Sequence, residues 1–277
     1  DKGKVVKTYY PNPSDPNGMP DAQQINQVIE DKENPELMWL STAKGLVRFN
    51  KKTETFKTFG RDNSWDLFED EQGFIWISTW GNGIGKFEKK SQKFEYFRHD
   101  PKNPESISDN LLVPLFIASD NRIWIGTENG LNLFDKDNKS FKSFKRSDGY
   151  PFDAIHSIGE DKNKNLWLGT NAGLVRFNPR LLKARAFTKE DGVKSMMFYA
   201  NNGITSKSGE MWFGGTKGMN SFFPEQITLN RSIPAIKLSS LKQGGETIDF
   251  GKAPERLKTI TLDWKNNFFE FEFVAFD

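Results

Sequence analysis

The sequence predicts an all-β protein, a β-propeller followed by the start of a β-sandwich. A phrase recurs five times, in which a tryptophan opens a short apolar strand and a glycine-containing turn leads to a strand that ends in phenylalanine. Successive copies of this tryptophan are 37, 48, 43 and 45 residues apart. A period in the forties is typical of propellers, whose units cannot bury their apolar faces alone. The anchor tryptophans are Trp39, Trp76, Trp124, Trp167 and Trp212.

Each repeat is predicted to be a four-stranded antiparallel meander, as the fourth copy illustrates. Residues 155–158, 166–168 and 174–177 are short apolar runs, separated by a polar turn and by a tight turn at Gly173. An outermost strand is expected around residues 184–187. Runs joined by short polar or glycine-containing links are typical of hairpins. The outer strands of other repeats alternate aromatic and polar residues, as expected for strands with one solvated face.

The number of blades has two possible interpretations. Residues 6–17 repeat the pattern of residues 94–104, so an outer strand and its exit loop are expected before the first full repeat. This strand either belongs to a longer, seven-bladed propeller or completes the fifth repeat and closes a ring of five. Both are compatible with the range of about four to eight blades. We assign residues 1–232 to the propeller.

The composition changes after the fifth repeat. Strands are predicted around residues 236–241, Ile248, 259–262 and 266–273, and the last of these alternates phenylalanine with polar residues. This part, residues 233–277, is interpreted as an incomplete β-sandwich. Because an incomplete sandwich exposes an apolar edge, we expect the sequence to be a fragment of a longer protein.

Composition excludes several classes of function. The 277 residues include 39 basic and 37 acidic side chains, mixed throughout, so nucleic acid is not an expected partner. The absence of cysteine excludes disulfides, thiolate metal sites and cysteine nucleophiles. The longest apolar runs are too short or too interrupted to span a bilayer, and no signal sequence is predicted. A membrane connection is therefore expected only through other parts of the parent chain.

The repeat resembles the regulator-propeller repeat of bacterial two-component sensors, especially the hybrid histidine kinases of gut Bacteroidetes. The resemblance rests on the recurring phrase, on the last copy from Gly209 through Gly218 to Pro224, and on residues 234–277. That last segment resembles the start of the triple-tyrosine immunoglobulin-like domain that follows the propellers in those sensors. The resemblance implies a periplasmic region that senses an oligosaccharide from glycan breakdown, regulates polysaccharide-utilisation genes and works as a homodimer in the intact protein.

The sequence contains no recognisable catalytic constellation. There are two histidines, in different repeats, and neither an H-E-x-x-H nor a G-x-S-x-G motif. Asp31, Asp70 and Asp161 recur in the turns before the anchor tryptophans and are interpreted as turn caps. We therefore expect no catalytic residue, metal or cofactor. Two alternatives stay open: a propeller lyase or glycosidase, for which His156 is the weak candidate, and a protein-interaction scaffold.

The best candidates for ligand binding are residues at which one repeat departs from the others. Trp80 fills a turn position held by smaller or polar residues in the sister repeats, in a turn with one extra residue. Exposed aromatic rings with nearby polar groups suit sugars, and Trp65 is expected on the same face. Alternatively, Trp80 covers a local gap or contacts another subunit. The candidate residues are Trp80, Trp65, Arg61, Asp62, His99, Arg146, Tyr150, Asp153, His156, Tyr199 and Asn201.

Overall fold

The structure is a computed structural model that separates into two compact units, residues 1–226 and 227–277. The predicted boundary at 232/233 lies outside the described residues. Among the residues described, no helix has the length and apolarity needed to cross a membrane. The described residues are 7–227 except 13 and 23, and 235–276 except 250, 253–255, 257–258 and 263–266.

The first unit is a series of five antiparallel sheets, each formed by strands that are consecutive in sequence. The first sheet contains β1 (Ile25–Glu30), β2 (Leu37–Thr42), β3 (Gly45–Asn50) and β4 (Thr55–Phe59). The second contains β5 (Ser64–Glu69), β6 (Ile75–Thr79), β7 (Ile84–Glu88) and β8 (Lys93–Phe97). The third contains β9 (Leu112–Ile117), β10 (Ile123–Thr127), β11 (Gly130–Asp135) and β12 (Ser140–Phe144). The fourth contains β13 (Ile155–Glu160), β14 (Leu166–Thr170), β15 (Gly173–Asn178) and β16 (Lys183–Phe187), and the fifth β17 (Phe198–Thr205), β18 (Met211–Gly215) and β19 (Gly218–Phe222).

The turn between the second and third strands explains the glycine in the repeated phrase. In the fourth sheet, Thr170 Oγ1 donates a hydrogen bond to the carbonyl of Gly173 at 2.7 Å. Gly173 has φ 114°, and a Cβ there would meet the carbonyl oxygen of Phe187 at 2.7 Å. Only glycine fits this backbone conformation and this approach. A threonine makes the same bond in each of the first three sheets.

The anchor tryptophans pack neighbouring sheets together, which confirms their interpretation as core residues. Each of the first four is buried and contacts the phenylalanine at the end of the third strand in the next sheet. The ring centroids are 5.6 Å apart for Trp39 and Phe87, 5.2 Å for Trp76 and Phe134, 5.7 Å for Trp124 and Phe177, and 4.7 Å for Trp167 and Phe222. Trp212 in the fifth sheet is only half-buried.

The acidic turn residues are structural, as the sequence predicts. Asp31, Asp70 and Asp161 each accept a hydrogen bond from the indole nitrogen of the anchor tryptophan in their own repeat. Each also accepts backbone N–H groups of its own turn through Oδ1. These carboxylates therefore satisfy donors that would otherwise be buried without partners.

The segment before β1 packs on the first sheet. The ring centroid of Tyr9 lies 5.0 Å from that of Phe49 and 5.5 Å from that of Phe56. Phe97, at the end of the second sheet, packs in the same way on Phe134 and Phe141 of the third sheet. Residues 7–10 are not in a strand, and no described residue of this segment pairs with β19. The fifth sheet accordingly has three strands instead of the expected four among the described residues, and residues 7–12 do not close a five-bladed ring.

The second unit contains one described sheet, with strand order β21-β20-β22. Its strands are β20 (Ala235–Gln243), β21 (Glu246–Thr247) and β22 (Phe269–Phe276). The predicted strand at 259–262 is wrong, because these residues are outside any strand and β22 occupies the long edge of β20. The immunoglobulin-like topology of this unit stays a prediction.

Strand direction determines which loops of the first unit lie together. Because the strands of every sheet alternate in direction, the loops between sheets and the turns between second and third strands share one edge of the array. We call this edge the loop face. Its parts are the inter-sheet loops 60–63, 98–111, 145–154 and 188–197, and the turns 43–44, 80–83, 128–129 and 171–172.

Candidate ligand site at the channel mouth

Trp65 and Trp80 are neighbours on the loop face, as their positions in the repeat predict. Their ring centroids are 5.9 Å apart, with an angle of 49° between the planes. The backbone of Trp80 is held by a hydrogen bond from its N–H to the carbonyl of Asn63 at 2.9 Å. Trp80 is 44% exposed. The indole nitrogen of Trp65 is buried and has no hydrogen-bond partner within the described part of the chain.

A chain of contacts leads from Trp80 to the fourth and fifth sheets. Trp80 forms an isolated bridge with Leu111, whose carbonyl accepts the N–H of Glu128 at 3.2 Å. Glu128 Oε1 lies 3.5 Å from His156 Nε2, and His156 Nδ1 lies 2.8 Å from the carbonyl oxygen of Phe198. Because a carbonyl only accepts hydrogen bonds, Nδ1 carries the proton. The other ring nitrogen, Nε2, faces the carboxylate of Glu128.

A wide bulge in β17 brings the fifth sheet toward the second. Phe198 pairs with Gly215 and Gly203 pairs with Phe213, so four residues, 199–202, stand opposite one. Asn201 has φ 53°, a left-handed conformation that Asn tolerates better than most residues. Its side-chain amide faces Asp66 and favours the charged form of that carboxylate, while Tyr199 on the same bulge is 54% exposed.

Asp66 connects the far end of this chain of contacts back to Trp65, because it is the next residue in β5. Its carboxylate accepts the N–H of Leu67 at 2.8 Å and the N–H of Leu115 in the third sheet at 2.9 Å. Burial raises the pKa of Asp66 to about 7, although its hydrogen bonds favour the charged form. Sequence reasoning missed this residue. The available signal was an acid where the equivalent strands carry Gln27, Pro114 and Ser157.

We call the following residues of the loop face, where the first strands of the sheets begin, the channel-mouth cluster: Trp65, Trp80, Glu128, His156, Tyr199 and Asn201, together with the buried Asp66. It presents an indole face, a phenol, an amide, a carboxylate and an imidazole on one edge of the array. Such a mixture of apolar faces and hydrogen-bonding groups binds polar organic ligands such as sugars. No group of three or more His, Asp or Glu side chains that could hold a metal is found among the described residues.

Asp62 supports the cluster through the turn that carries Trp80. It accepts hydrogen bonds from Asn82 Nδ2 at 2.9 Å and from the Tyr96 hydroxyl. Arg98 Nε donates to Asn82 Oδ1 at 2.6 Å and its guanidinium lies over the Tyr96 ring. Burial, followed by the hydrogen bond to Asp62, raises the pKa of Tyr96. Asp62 thus positions the turn.

The remaining loop candidates brace their own loops, and no described contact joins them to the cluster. His99 Nδ1 donates to the carbonyl of Ile107 at 2.8 Å across the longest inter-sheet loop. Arg146 Nε donates to Asp153 Oδ2 at 2.7 Å. The Tyr150 hydroxyl donates to the carbonyl of Leu182 at 3.2 Å, and its ring packs on three phenylalanines. Arg61 lies apart from these residues, in a groove beside the first sheet.

Comparison with known proteins agrees with the repeat structure. Residues 58–81 and 149–172 match the model of a family described as "Two component regulator propeller". Histidine kinase P4 of Formosa agariphila is 25% identical over 82% of this chain and 21% of its own length. The chain therefore spans about a fifth of that relative.

Two solved structures show the same fold. The extracellular domain of a hybrid two-component system from B. thetaiotaomicron superimposes with a TM-score of 0.69 at 21% identity, covering 91% of this chain and 35% of that one. Virginiamycin B lyase from Staphylococcus aureus superimposes with a TM-score of 0.57 at 16% identity, covering 84% and 78%. Together with the five repeats and their anchor tryptophans, these matches make the chain similar to the two-component regulator propellers.

Proposed function

We propose that this chain is the ligand-sensing part of a periplasmic sensor region in a hybrid two-component protein, and that it detects a glycan-derived oligosaccharide to regulate polysaccharide use. The observation that carries the proposal is Trp80, an exposed indole that four sister turns lack and whose ring lies next to that of Trp65. The fold does not need an aromatic residue at this turn. The simplest explanation for Trp80 is therefore a ligand that binds an aromatic ring at this turn.

The geometry of the cluster suits a sugar. The CH face of a pyranose packs on an indole ring, and its hydroxyls need donors and acceptors at the rim. Glu128 offers acceptors, while the exposed Tyr199 phenol both donates and accepts. The Trp80 turn is fixed by Asn63 and by the Asp62 network, so the ring is presented at little entropic cost.

Signalling would follow from binding at the loop face. A ligand that contacts residues of the second, third, fourth and fifth sheets together favours one arrangement of those sheets, and a homodimer of the intact protein would transmit that preference to a kinase elsewhere in the parent chain. The role of this chain is binding without catalysis. His156 is held for binding on this face, with its Nδ1 at the Phe198 carbonyl and its Nε2 facing Glu128.

Calorimetric titration of the folded chain with a panel of plant and host oligosaccharides tests the proposal. We expect at least one oligosaccharide to bind, and Trp80→Ala to weaken it about 5–10-fold, the equivalent of about 1–1.5 kcal/mol for an aromatic contact. Tyr10→Ala is the matched control, since Tyr10 is 76% exposed and belongs to the segment before β1. Unchanged binding by the Trp80 variant would place the site elsewhere, and silence across the panel would refute oligosaccharide sensing by this chain.

A further inference from the structure

A groove of about 550 Å³ opens on the loop face beside the first sheet. It is separate from the channel-mouth cluster and is formed by the segment before β1, the β2–β3 turn and the loop that leads into β5. We call it the Arg61 groove. Its lining residues are Pro20, Asp21, Lys44, Thr58, Gly60 and Arg61.

The charges in the Arg61 groove are available to a ligand. Arg61 is exposed, and within the described part of the chain its guanidinium has neither an ion pair nor a hydrogen bond. Lys44 Nζ lies 3.5 Å from Asp21 Oδ2, and these side chains are 49% and 57% exposed. Exposed pairs of this kind are weak. Among the described residues, the groove thus contains one cation without a partner, Arg61, and a second, Lys44, in a weak exposed ion pair.

The loop that carries Arg61 also supports the Trp80 turn. Asn63 O accepts the N–H of Trp80 at 2.9 Å, and Asp62 Oδ1 accepts Asn82 Nδ2 at 2.9 Å. Arg61 precedes Asn63 by two residues, a span of at most about 7 Å even when fully extended. Two adjacent sugar units of one short oligosaccharide could therefore contact the groove and Trp80 at the same time.

We propose that the Arg61 groove binds the anionic group, carboxylate or sulfate, of an acidic oligosaccharide whose adjacent sugar stacks on Trp80. The guanidinium presents paired N–H donors in the planar geometry that matches such oxyanions. Thr58 adds a hydroxyl, while Asp21 opposes the anion and competes for Lys44. This inference rests on the proposed function and names the class of ligand that the site would select.

Matched pairs of ligands test the charge requirement directly. The probes are an oligogalacturonate and its methyl ester, and a sulfated galacto-oligosaccharide and its unsulfated counterpart, each titrated at low and high salt. We expect one acidic member to bind about tenfold more tightly than its neutral counterpart at low salt, and this advantage to shrink at high salt. The pair that shows the advantage distinguishes a carboxylate from a sulfate.

Three charge variants then locate the effect. Arg61→Gln should remove most of the advantage of the acidic ligand, whereas Asp21→Asn should increase the affinity about 2–5-fold by removing the competing carboxylate. Lys102→Gln, at an exposed lysine of another loop on the same face, should change nothing. Trp80-dependent binding without preference for the acidic member would overturn this inference and leave the proposed function intact. Binding of no member by folded protein would overturn both.

Discussion

The indole nitrogen of Trp76 donates a hydrogen bond to Asp70 Oδ2 at 2.8 Å. The other carboxylate oxygen accepts the N–H groups of Gln72 and Phe74 at 2.9 and 3.0 Å. One buried carboxylate therefore holds the turn in shape and also satisfies the ring that packs the second sheet on the third. Equivalent bonds join an aspartate to the anchor tryptophan in the first and fourth repeats.

Asp70→Ala should lower the free energy of unfolding by about 2–3 kcal/mol, because it leaves buried donors without an acceptor. Urea denaturation followed by tryptophan fluorescence measures the change. Glu71→Ala is the control, since the neighbouring Glu71 is exposed and accepts only an exposed hydrogen bond from Asn121. Equal effects from the two substitutions would contradict the capping role.

The third repeat lacks this bond. Trp124 Nε1 is buried and has no hydrogen-bond partner among the described residues, and the position equivalent to the aspartate is Ala118. The backbone of the turn is nevertheless the same. Ala118 N–H donates to the carbonyl of Arg122 at 2.9 Å and Asn121 N–H donates to the carbonyl of Ala118 at 2.8 Å, like the corresponding residues around Asp70.

Ala118→Asp should therefore stabilise the protein. The new carboxylate can accept the orphaned indole N–H and the turn N–H groups, which we expect to contribute about 1 kcal/mol net of desolvation. That corresponds to a rise in Tm of about 2–4 °C for a unit of this size. Ser119→Asp adds the same charge at the neighbouring exposed position and should not raise Tm. A lower Tm for Ala118→Asp would show that the site has no room for a carboxylate.

The sequence was informative wherever structure repeats. The anchor phrase predicted the strands, the packing of Trp39 to Trp167 and, through strand direction, the contact of Trp65 with Trp80. It could not predict the approach of Asn201 to Asp66, which links non-consecutive sheets through an aperiodic bulge. The salt bridges from Lys89 to Asp31 and Glu69 were missed for a similar reason, because contacts between sheets do not change the local periodicity of the sequence.

Lys89 neutralises two buried carboxylates between the first and second sheets. Its Nζ lies 2.8 Å from Asp31 Oδ2 and 2.5 Å from Glu69 Oε1. Burial opposes charge on both Lys89 and Asp31, but their mutual hydrogen bond, with others, outweighs it. The pKa of Lys89 is consequently raised and that of Asp31 lowered. The charged cluster is thus the form that the fold favours.

Lys89→Met should cost about 3–5 kcal/mol at neutral pH, because two buried carboxylates lose their cation. The pKa of Asp31 is lowered by folding in the wild type, so its contribution is present above its unfolded pKa and is lost as the pH falls through the folded value. The cost of Lys89→Met should therefore shrink in urea titrations taken from about pH 4 downward. Lys90→Met, at the adjacent exposed lysine, should have little effect. A cost independent of pH would argue for lost packing of the lysine stem instead.

Asp66 provides the opposite dependence on pH. Its folded pKa of about 7 exceeds the ordinary value of 3.8, chiefly because the carboxyl is buried. Between these two values the folded state holds a proton that the unfolded state has released. Stability therefore falls as the pH rises from about 4 to about 7 and does not change further above that range, as far as Asp66 determines it.

Asp66→Asn should remove the loss of stability between pH 4 and pH 7, because the amide stays neutral and its oxygen can still accept the N–H of Leu67 or Leu115. The stability of the variant relative to wild type should increase across the same interval, by up to about 4 kcal/mol, when unfolding is measured at pH 4, 5, 6, 7 and 8. Asp62→Asn serves as the comparison, because Asp62 is an acid of the same loop region whose hydrogen bonds come from side chains of its own sheet. A stability difference between Asp66→Asn and wild type that is constant from pH 4 to pH 8 would mean that Asp66 stays ionised. Its contacts with the third and fifth sheets would then be held by charge throughout that range.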